Sequence, residues 1–347
     1  MRGKVKILFF ANFPTKDVRS IGGAATLSKR IYDFIKKDSN LDVEHVQIRK
    51  FWKSKYQIID YVIWIFRFPF MIRGYDIISF HTTRDFHVSV APFLWIWAKL
   101  FNKKIVYHLF GGGFHVQYQR LPKFYRFILR TTILNSDVFV LETKQLVNYF
   151  EAIGLKNIIW LPNSRKSIPN FSKEKKFKKK FVFISRIVPD KGIPEIIEAA
   201  SQLPDDYQID VFGPIDKNYY KTNPFINTRV NYKGILHHDK VIETLDEYDI
   251  LLMPTYIDRE GYPGIIIEAL SIGVPVITTD CCVMNEMITH EYNGLLIKKR
   301  SAKALEDGIK FFNEKNYAVY KKNALSSFDN FNSENVFKKL INAYFTV

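Results

Sequence analysis

Cysteine is all but missing from this chain, and the two that occur, Cys281 and Cys282, are neighbours. Adjacent residues make poor disulfide partners, and two cysteines build no disulfide framework. A disulfide-stapled secreted scaffold is excluded, and a reducing compartment is expected. Long apolar runs are lacking as well. No stretch reaches the about 18 uninterrupted apolar residues of a membrane-spanning helix. The nearest, Tyr56–Ile72, is interrupted by Asp60 and Arg67 and broken near its end by Pro69. The opening MRGKVKILFFANFP has too short an apolar core for a secretory signal and reads as a first strand. There is no clear Asp-x-Asp, and His237-His238 at a strand exit reads as solvated loop, so no metal site is expected.

Carboxylates are scarce in the first half only. Residues 1–165 hold 26 Lys and Arg against 11 Asp and Glu, residues 166–180 hold 7 against 1, and residues 181–347 hold 18 against 23. A strongly basic body is thus joined to a mildly acidic one, and the basic one calls for an anionic partner. Aromatic and basic residues interleave at Tyr56–Ile72, Phe93–Lys104 and Tyr118–Arg130. That mixture suits an anionic membrane surface, though inward-facing helices with solvated basic backs would read the same way.

What is present in abundance is alternation of short apolar runs with amphipathic stretches. Strands are predicted at Val5–Phe10, Val43–Ile48, Asp76–Phe80, Lys104–Leu109 and Val138–Leu141, then at Phe181–Ser185, Gln208–Phe212, Val230–Tyr232, Ile250–Met253 and Pro275–Thr278. Helical segments intervene. The pattern predicts two doubly wound parallel sheets in series. Apolar content of 47% is enough for two cores. The domains are 1–163, a basic linker 164–180 that reads as exposed, 181–332, and a closing helix 333–347.

Three places carry candidate chemistry. Gly22-Gly23 lies between the first strand and its helix, where glycine permits close approach of the backbone to a ligand. Arg186 and Lys191-Gly192 follow the strand Phe181–Ser185, at the carboxyl end where α/β sheets bind ligands. Arginine grips phosphate bidentately and lysine adds a point charge. The stretch Ile250–Asp280 runs strand, Glu260-Gly261-Tyr262-Pro263-Gly264, helix with Glu268, Gly273, strand. A helix start favours an anion, and two carboxylates favour hydroxyl donors. Together they suit a ligand with a central diphosphate and hydroxyl-rich ends, such as a nucleotide-sugar.

This set resembles the retaining nucleotide-sugar glycosyltransferases of family 4. The matching residues are Gly22-Gly23, Arg186 with Lys191-Gly192, Gly234 in YKGIL, Pro254-Thr255, and Glu260-Gly-Tyr-Pro-Gly-x3-Glu268 followed by Ala-x3-Gly-x-Pro-Val. The resemblance covers nearly the whole chain. It implies the α/β GT-B fold, two Rossmann-like doubly wound parallel-sheet domains facing across a cleft, with the closing helix returning to the N-terminal domain. It implies further that Arg186 and Lys191 neutralise the donor diphosphate, Glu268 accepts from the ribose, and Glu260 holds the transferred sugar. Gly261, Tyr262, Pro263 and Gly264 form the phosphate-binding turn, and Gly234 lies beside the base. The family often has a histidine pattern at the strand end where this chain reads His108-Leu109-Phe110-Gly111. The cleft histidine is then His108 or His115, or there is none. The implied reaction is retaining transfer of a sugar from a UDP- or GDP-sugar to a glycan or polyprenyl-diphosphate-linked acceptor. The setting is cell-surface polysaccharide synthesis, cytoplasmic and peripheral on the inner membrane face, with no cofactor beyond the donor. A nucleotide-sugar epimerase of the same fold is the alternative. A nucleic-acid binder fits less well, because the phosphate-binding apparatus lies in the acidic half.

Overall fold

The computed structural model describes residues 3–15, 22–48, 54–168, 175–258 and 260–347, with the side chains of Ser54, Arg84 and Asp85 outside that description. The chain divides into two units, one made of residues 1–163 and 334–347 and the other of Ser164–Ser333.

The first unit runs β1 (Val5–Ala11), α1 (Gly23–Ile35), β2 (Leu41–Gln47), α2 (Ser54–Met71), β3 (Ile77–Thr82), α3 (Arg84–His87), α4 (Ala91–Leu100), β4 (Lys104–Leu109), α5 (Phe114–Arg120), α6 (Lys123–Thr131), β5 (Val138–Leu141), α7 (Lys144–Ala152) and β6 (Ile158–Trp160). Its sheet has the order β2-β1-β3-β4-β5-β6, every neighbouring pair parallel. The inner strands β3 and β5 are buried at every residue and carry the continuous apolar character of strands covered on both faces. One face packs against α2, α4, α5, α6 and α7 through side chains such as Phe68, Leu94, Tyr118, Leu129 and Phe150. The other packs against Leu27, Ile31 and Ile35 of α1.

The second unit runs β7 (Lys180–Ile184), α8 (Ile193–Ser201), β8 (Gln208–Phe212), β9 (Val230–Tyr232), α9 (Val241–Asp246), β10 (Ile250–Met253), α10 (Gly264–Ser271), β11 (Val276–Thr279), β12 (Gly294–Ile297), α11 (Ala302–Phe311) and α12 (Glu314–Ser327). Its sheet order is β12-β11-β10-β7-β8-β9, again all parallel. A last helix, α13 (Ser333–Thr346), buries Val336, Phe337, Leu340 and Tyr344 on the α1 face of the first sheet. The two doubly wound parallel sheets expected from the alternating pattern are therefore present. Two strands escaped that pattern, β6 and β12. Both lie at a sheet edge.

The lysine-rich run Ser164–Lys180 departs from the expectation of an exposed linker. Ser164 is fully buried, and the backbones of Arg165 and Ser333 are hydrogen-bonded to each other. The Lys175 ammonium donates to the carbonyls of Asp246 and Tyr248 at 2.8 and 2.6 Å and lies 3.6 Å from buried Asp249. Phe177 packs on Phe181 and Tyr317. The C-terminal carbonyls of α9 draw the lysine in, an attraction no local periodicity signals. Residues 169–174 of that run lie outside the described residues. Among the described residues, no helix is long and apolar enough to cross a membrane.

Candidate active site

In the second sheet the chain leaves β7 towards β8 and later returns on the other side of β7 as β10. Strand order reverses there, and the carboxyl ends of β7 and β10 bound the crevice where open α/β sheets hold ligands. Both sequence segments singled out for diphosphate chemistry leave these two strands.

After β7, a short 3-10 turn at Pro189–Lys191 ends in Gly192, whose φ of +82° is a left-handed conformation. A Cβ on Gly192 would come within 2.5 Å of the Pro254 carbonyl oxygen and 2.6 Å of its Cγ. Glycine is what lets the loops after β7 and β10 touch. Hydrogen bonds then stitch them together: Tyr256 N–H donates to the Asp190 carbonyl at 3.0 Å, and the Tyr256 hydroxyl to that of Pro189 at 3.0 Å.

Lys191 and Glu260, 69 residues apart, form an ion pair in this seam. The Lys191 side chain is only 7% exposed. The other Glu260 oxygen accepts from the Thr255 hydroxyl at 3.0 Å. Arg186 stands apart from this pair: its side chain is 61% exposed and rests 3.8 Å from Asp216. A contact that long at the surface holds the guanidinium only loosely.

α10 starts four residues after Glu260. The helix begins at Gly264, so Glu268 lies one turn inside it and residues 261–263 are loop. Its N-terminus has no side-chain cap and no acidic residue in the first turn, unlike α7, α11 and α12, which Thr143, Ser301 and Asn313 cap. An uncapped helix start presents amide protons to whatever anion arrives. Pro263 occupies the cap position. Tyr262 is buried, with its hydroxyl on Glu286 and its ring edge-on to Phe331, so it anchors the turn rather than facing a ligand with its side chain.

Glu268 has a partner that sequence reasoning missed. Arg165 Nε donates to Glu268 Oε1 at 2.6 Å. The same guanidinium lies over the first residue of α10, so that a Cβ at Gly264 would overlap its terminal nitrogen. The backbone fixes Arg165 from below through the Phe331 carbonyl and Ser333 N–H. The signal was a lone arginine at the head of a lysine run, and nothing local ties it to a residue 103 positions away.

The glycines behind these loops pack tightly. Gly213, with φ +143°, presses against the Ser185 carbonyl, and its N–H donates to the Gly234 carbonyl at 2.9 Å. Gly234 itself has φ +82° with open space around its α-carbon. Gly261 lies in the loop between Glu260 and Tyr262.

In the first unit, Gly22 caps α1 in ordinary extended geometry, and both Gly22 and Gly23 have open space where a Cβ would go. Nothing in the fold itself demands glycine at either position. His108 lies deep in the sheet. It is completely buried in β4, its Nδ1 is 3.1 Å from His81 Nδ1, and the chain continues through Ser79 to the Tyr344 hydroxyl. Burial pushes its pKa down to about 3. The His108 side chain has no accessible surface in this arrangement. Strand alternation turned it onto the α1–α13 face. His115 is half-buried beside the Tyr149 ring, and burial lowers its pKa too. His237, His238 and Asp239 stand together and are all exposed.

The structure of Anabaena Alr3699/HepE in complex with UDP superposes with a TM-score of 0.75 at 16% identity, covering 99% of this chain and 100% of that one. Sucrose-phosphate synthase from Thermosynechococcus elongatus superposes at 0.72 with 15% identity and 99% of both chains. The fold is GT-B. Within this GT-B chain, residues 164–326 match the family model for glycosyl transferases group 1. A Campylobacter jejuni N,N'-diacetylbacillosaminyl-diphospho-undecaprenol alpha-1,3-N-acetylgalactosaminyltransferase is 32% identical over 37% of the chain and 34% of its own length. The Bacillus subtilis putative teichuronic acid biosynthesis glycosyltransferase TuaC is 33% identical over 37% and 31%. The chain therefore spans about a third of these two relatives. An uncharacterized glycosyltransferase of Methanocaldococcus jannaschii is 23% identical over 98% of this chain and all of its own.

Proposed function

We propose that this GT-B protein is a retaining glycosyltransferase that moves a sugar from a nucleoside-diphosphate-sugar, with UDP as the base carrier, to a lipid-linked glycan in cell-surface polysaccharide synthesis. The observation that carries the reading is the seam at the strand reversal of the second unit. There the Lys191–Glu260 pair and the uncapped start of α10 come from two loops that glycine holds in contact.

The chemistry follows from the residues. Loss of a nucleoside diphosphate builds negative charge on the leaving oxygens, and fixed positive groups aimed at it lower the barrier. The Lys191 ammonium and the amides at the start of α10 are such groups. Arg186, loosely tied to Asp216, is able to swing onto a phosphate and grip it with two N–H bonds. Glu260, already orienting Lys191, has lone pairs left for sugar hydroxyls. Glu268 meets the ribose hydroxyls, with Arg165 fixing the direction of its carboxylate. The bound UDP in the Anabaena neighbour favours UDP over GDP here, and the diphospho-undecaprenol in the Campylobacter relative's name favours a lipid-linked acceptor. Retention of configuration rests on the sequence resemblance to family 4.

The test is a transfer and thermal-shift screen against UDP-, GDP- and ADP-sugars, since a bound donor raises apparent stability by mass action. UDP-sugars are expected to raise the melting temperature and to be consumed only with acceptor present. Unchanged donor affinity in both Lys191→Ala and Glu268→Ala would overturn the site. Sugar interconversion without transfer would replace the reaction with epimerisation.

A further inference from the structure

The helices on one face of the first sheet are apolar on both sides. α2 turns Phe68 into the core with Trp64 and Ile65 against it, α4 turns in Leu94 and Ala98, and α6 turns in Leu129. Outward, α2 carries Phe66 and Phe70, α4 carries Phe93 and Leu100, and α6 carries Phe124 and Phe127. All six of these side chains are more than half exposed. Single exposed apolar residues are ordinary, but an outer helix face built of them is not. The three helices form one layer. α2 and α4 pack together, and the Arg73 guanidinium bridges their ends, 5.3 Å from the Phe70 ring and 5.7 Å from that of Phe101. The Tyr125 hydroxyl of α6 donates to the Val88 carbonyl just ahead of α4.

The charge on these segments has one sign. Residues 54–73, 91–104 and 118–130 hold ten Lys and Arg and a single carboxylate, Asp60, which accepts from Trp64 Nε1 at 3.0 Å. Arg67, Arg73 and Lys123 are exposed beside the apolar side chains.

We propose that the outer surface of α2, α4 and α6 docks on an anionic lipid bilayer, with the phenylalanines and Leu100 entering the acyl boundary and the flanking Lys and Arg meeting headgroup phosphates. Exposed aromatic and aliphatic side chains interleaved with cations are what an interfacial surface requires, and the two contributions add. Charge decides against a second copy of the chain. A two-fold interface sets a patch against itself, and here that would set the exposed Arg67, Arg73 and Lys123 against their own copies. Charge also separates the patch from a protein-binding core, where charged residues are depleted. The argument uses only the first unit and stands independently of the donor chemistry in the second.

The experiment is co-sedimentation of the full chain with vesicles of phosphatidylcholine alone or with about one third phosphatidylglycerol. The expected result is partition onto the anionic vesicles, weakened about tenfold on neutral vesicles and about tenfold again at high salt. Phe124→Ser with Phe127→Ser should lower partition about tenfold on either vesicle. Lys123→Glu with Arg126→Glu should lower it only on the anionic vesicles. Both sites are on the surface, and an unchanged melting temperature by tryptophan fluorescence confirms the fold. Three results overturn the proposal: no partition on either vesicle, partition that neither double variant changes, or a wild-type dimer in sedimentation velocity that the phenylalanine variant turns into monomer.

Discussion

Gly192 and Gly234 offer a matched pair for testing how the seam between the loops after β7 and β10 is built. Both have φ of +82°, but a Cβ on Gly192 would press into Pro254 at 2.5 Å, while Gly234 has nothing within 4 Å. Placing alanine in the left-handed region costs roughly 1–2 kcal/mol, and roughly 0.4–1 kcal/mol of that returns through the stiffer unfolded chain. Gly234→Ala should therefore destabilise by about 1 kcal/mol or less. Gly192→Ala bears the same backbone cost plus overpacking of about 1–3 kcal/mol against a backbone oxygen that has no rotamer to escape into. Its expected total is about 2–4 kcal/mol, or a fall of about 5–15 °C in the melting temperature of a unit this size. All five tryptophans fall within residues 1–163. Circular dichroism or amide exchange must therefore follow the second unit, and tryptophan fluorescence serves as an internal control that should not move. Gly192→Ala should also weaken UDP-sugar binding, because Lys191 and Thr255 sit on the two loops pushed apart. Equal destabilisation by the two substitutions, within about 0.5 kcal/mol, would refute the claim that close approach, rather than φ alone, is why residue 192 is glycine.

Arg165→Ala and Gly264→Ala should each weaken donor binding, since both release Glu268. The double variant should be no worse than either single one in a binding titration, and additive losses would separate the two residues. Lys191→Ala should lower transfer by about 10²–10³-fold in a single-turnover assay, and retained turnover would remove Lys191 from the chemistry. His81, His87 and His108 are buried and all have lowered pKa values, those of His87 and His108 at about 3. They stay neutral in the folded chain but take up protons when unfolded, so the stability of the first unit should hold above about pH 6.5. It should then fall as pH drops towards about 3, by up to about 1.4 kcal/mol per pH unit for each histidine. Urea midpoints by tryptophan fluorescence at several pH values check this, and a flat profile from neutral to acid would contradict it.

The loops after β7 and β10 could be singled out in the sequence because their residue chemistry is local. Lys191-Gly192 and Glu260 to Glu268 each fall within a single strand–loop–helix stretch, where composition, spacing and glycine placement are visible side by side. His108 shows the limit of such local reading. At a strand end its residue type is visible, but the face it points to is set by the sheet around it, and here that face is the core beneath α1 and α13. The exposed faces of α2, α4 and α6 were half legible. The interleaving of aromatic and basic residues could be read, but which side chains turned outward could not.

Sequence alone determined that the chain would build two parallel sheets, because apolar runs separated by amphipathic helices have few other ways to bury their surface. It also determined which loops carry cations and carboxylates. Tertiary structure decided who pairs with whom. The Lys191–Glu260 bond spans 69 residues and the Arg165–Glu268 bond 103. Such partnerships depend on strand order, and the order β10-β7-β8 is fixed by how helices cover the sheet rather than by anything written near either residue.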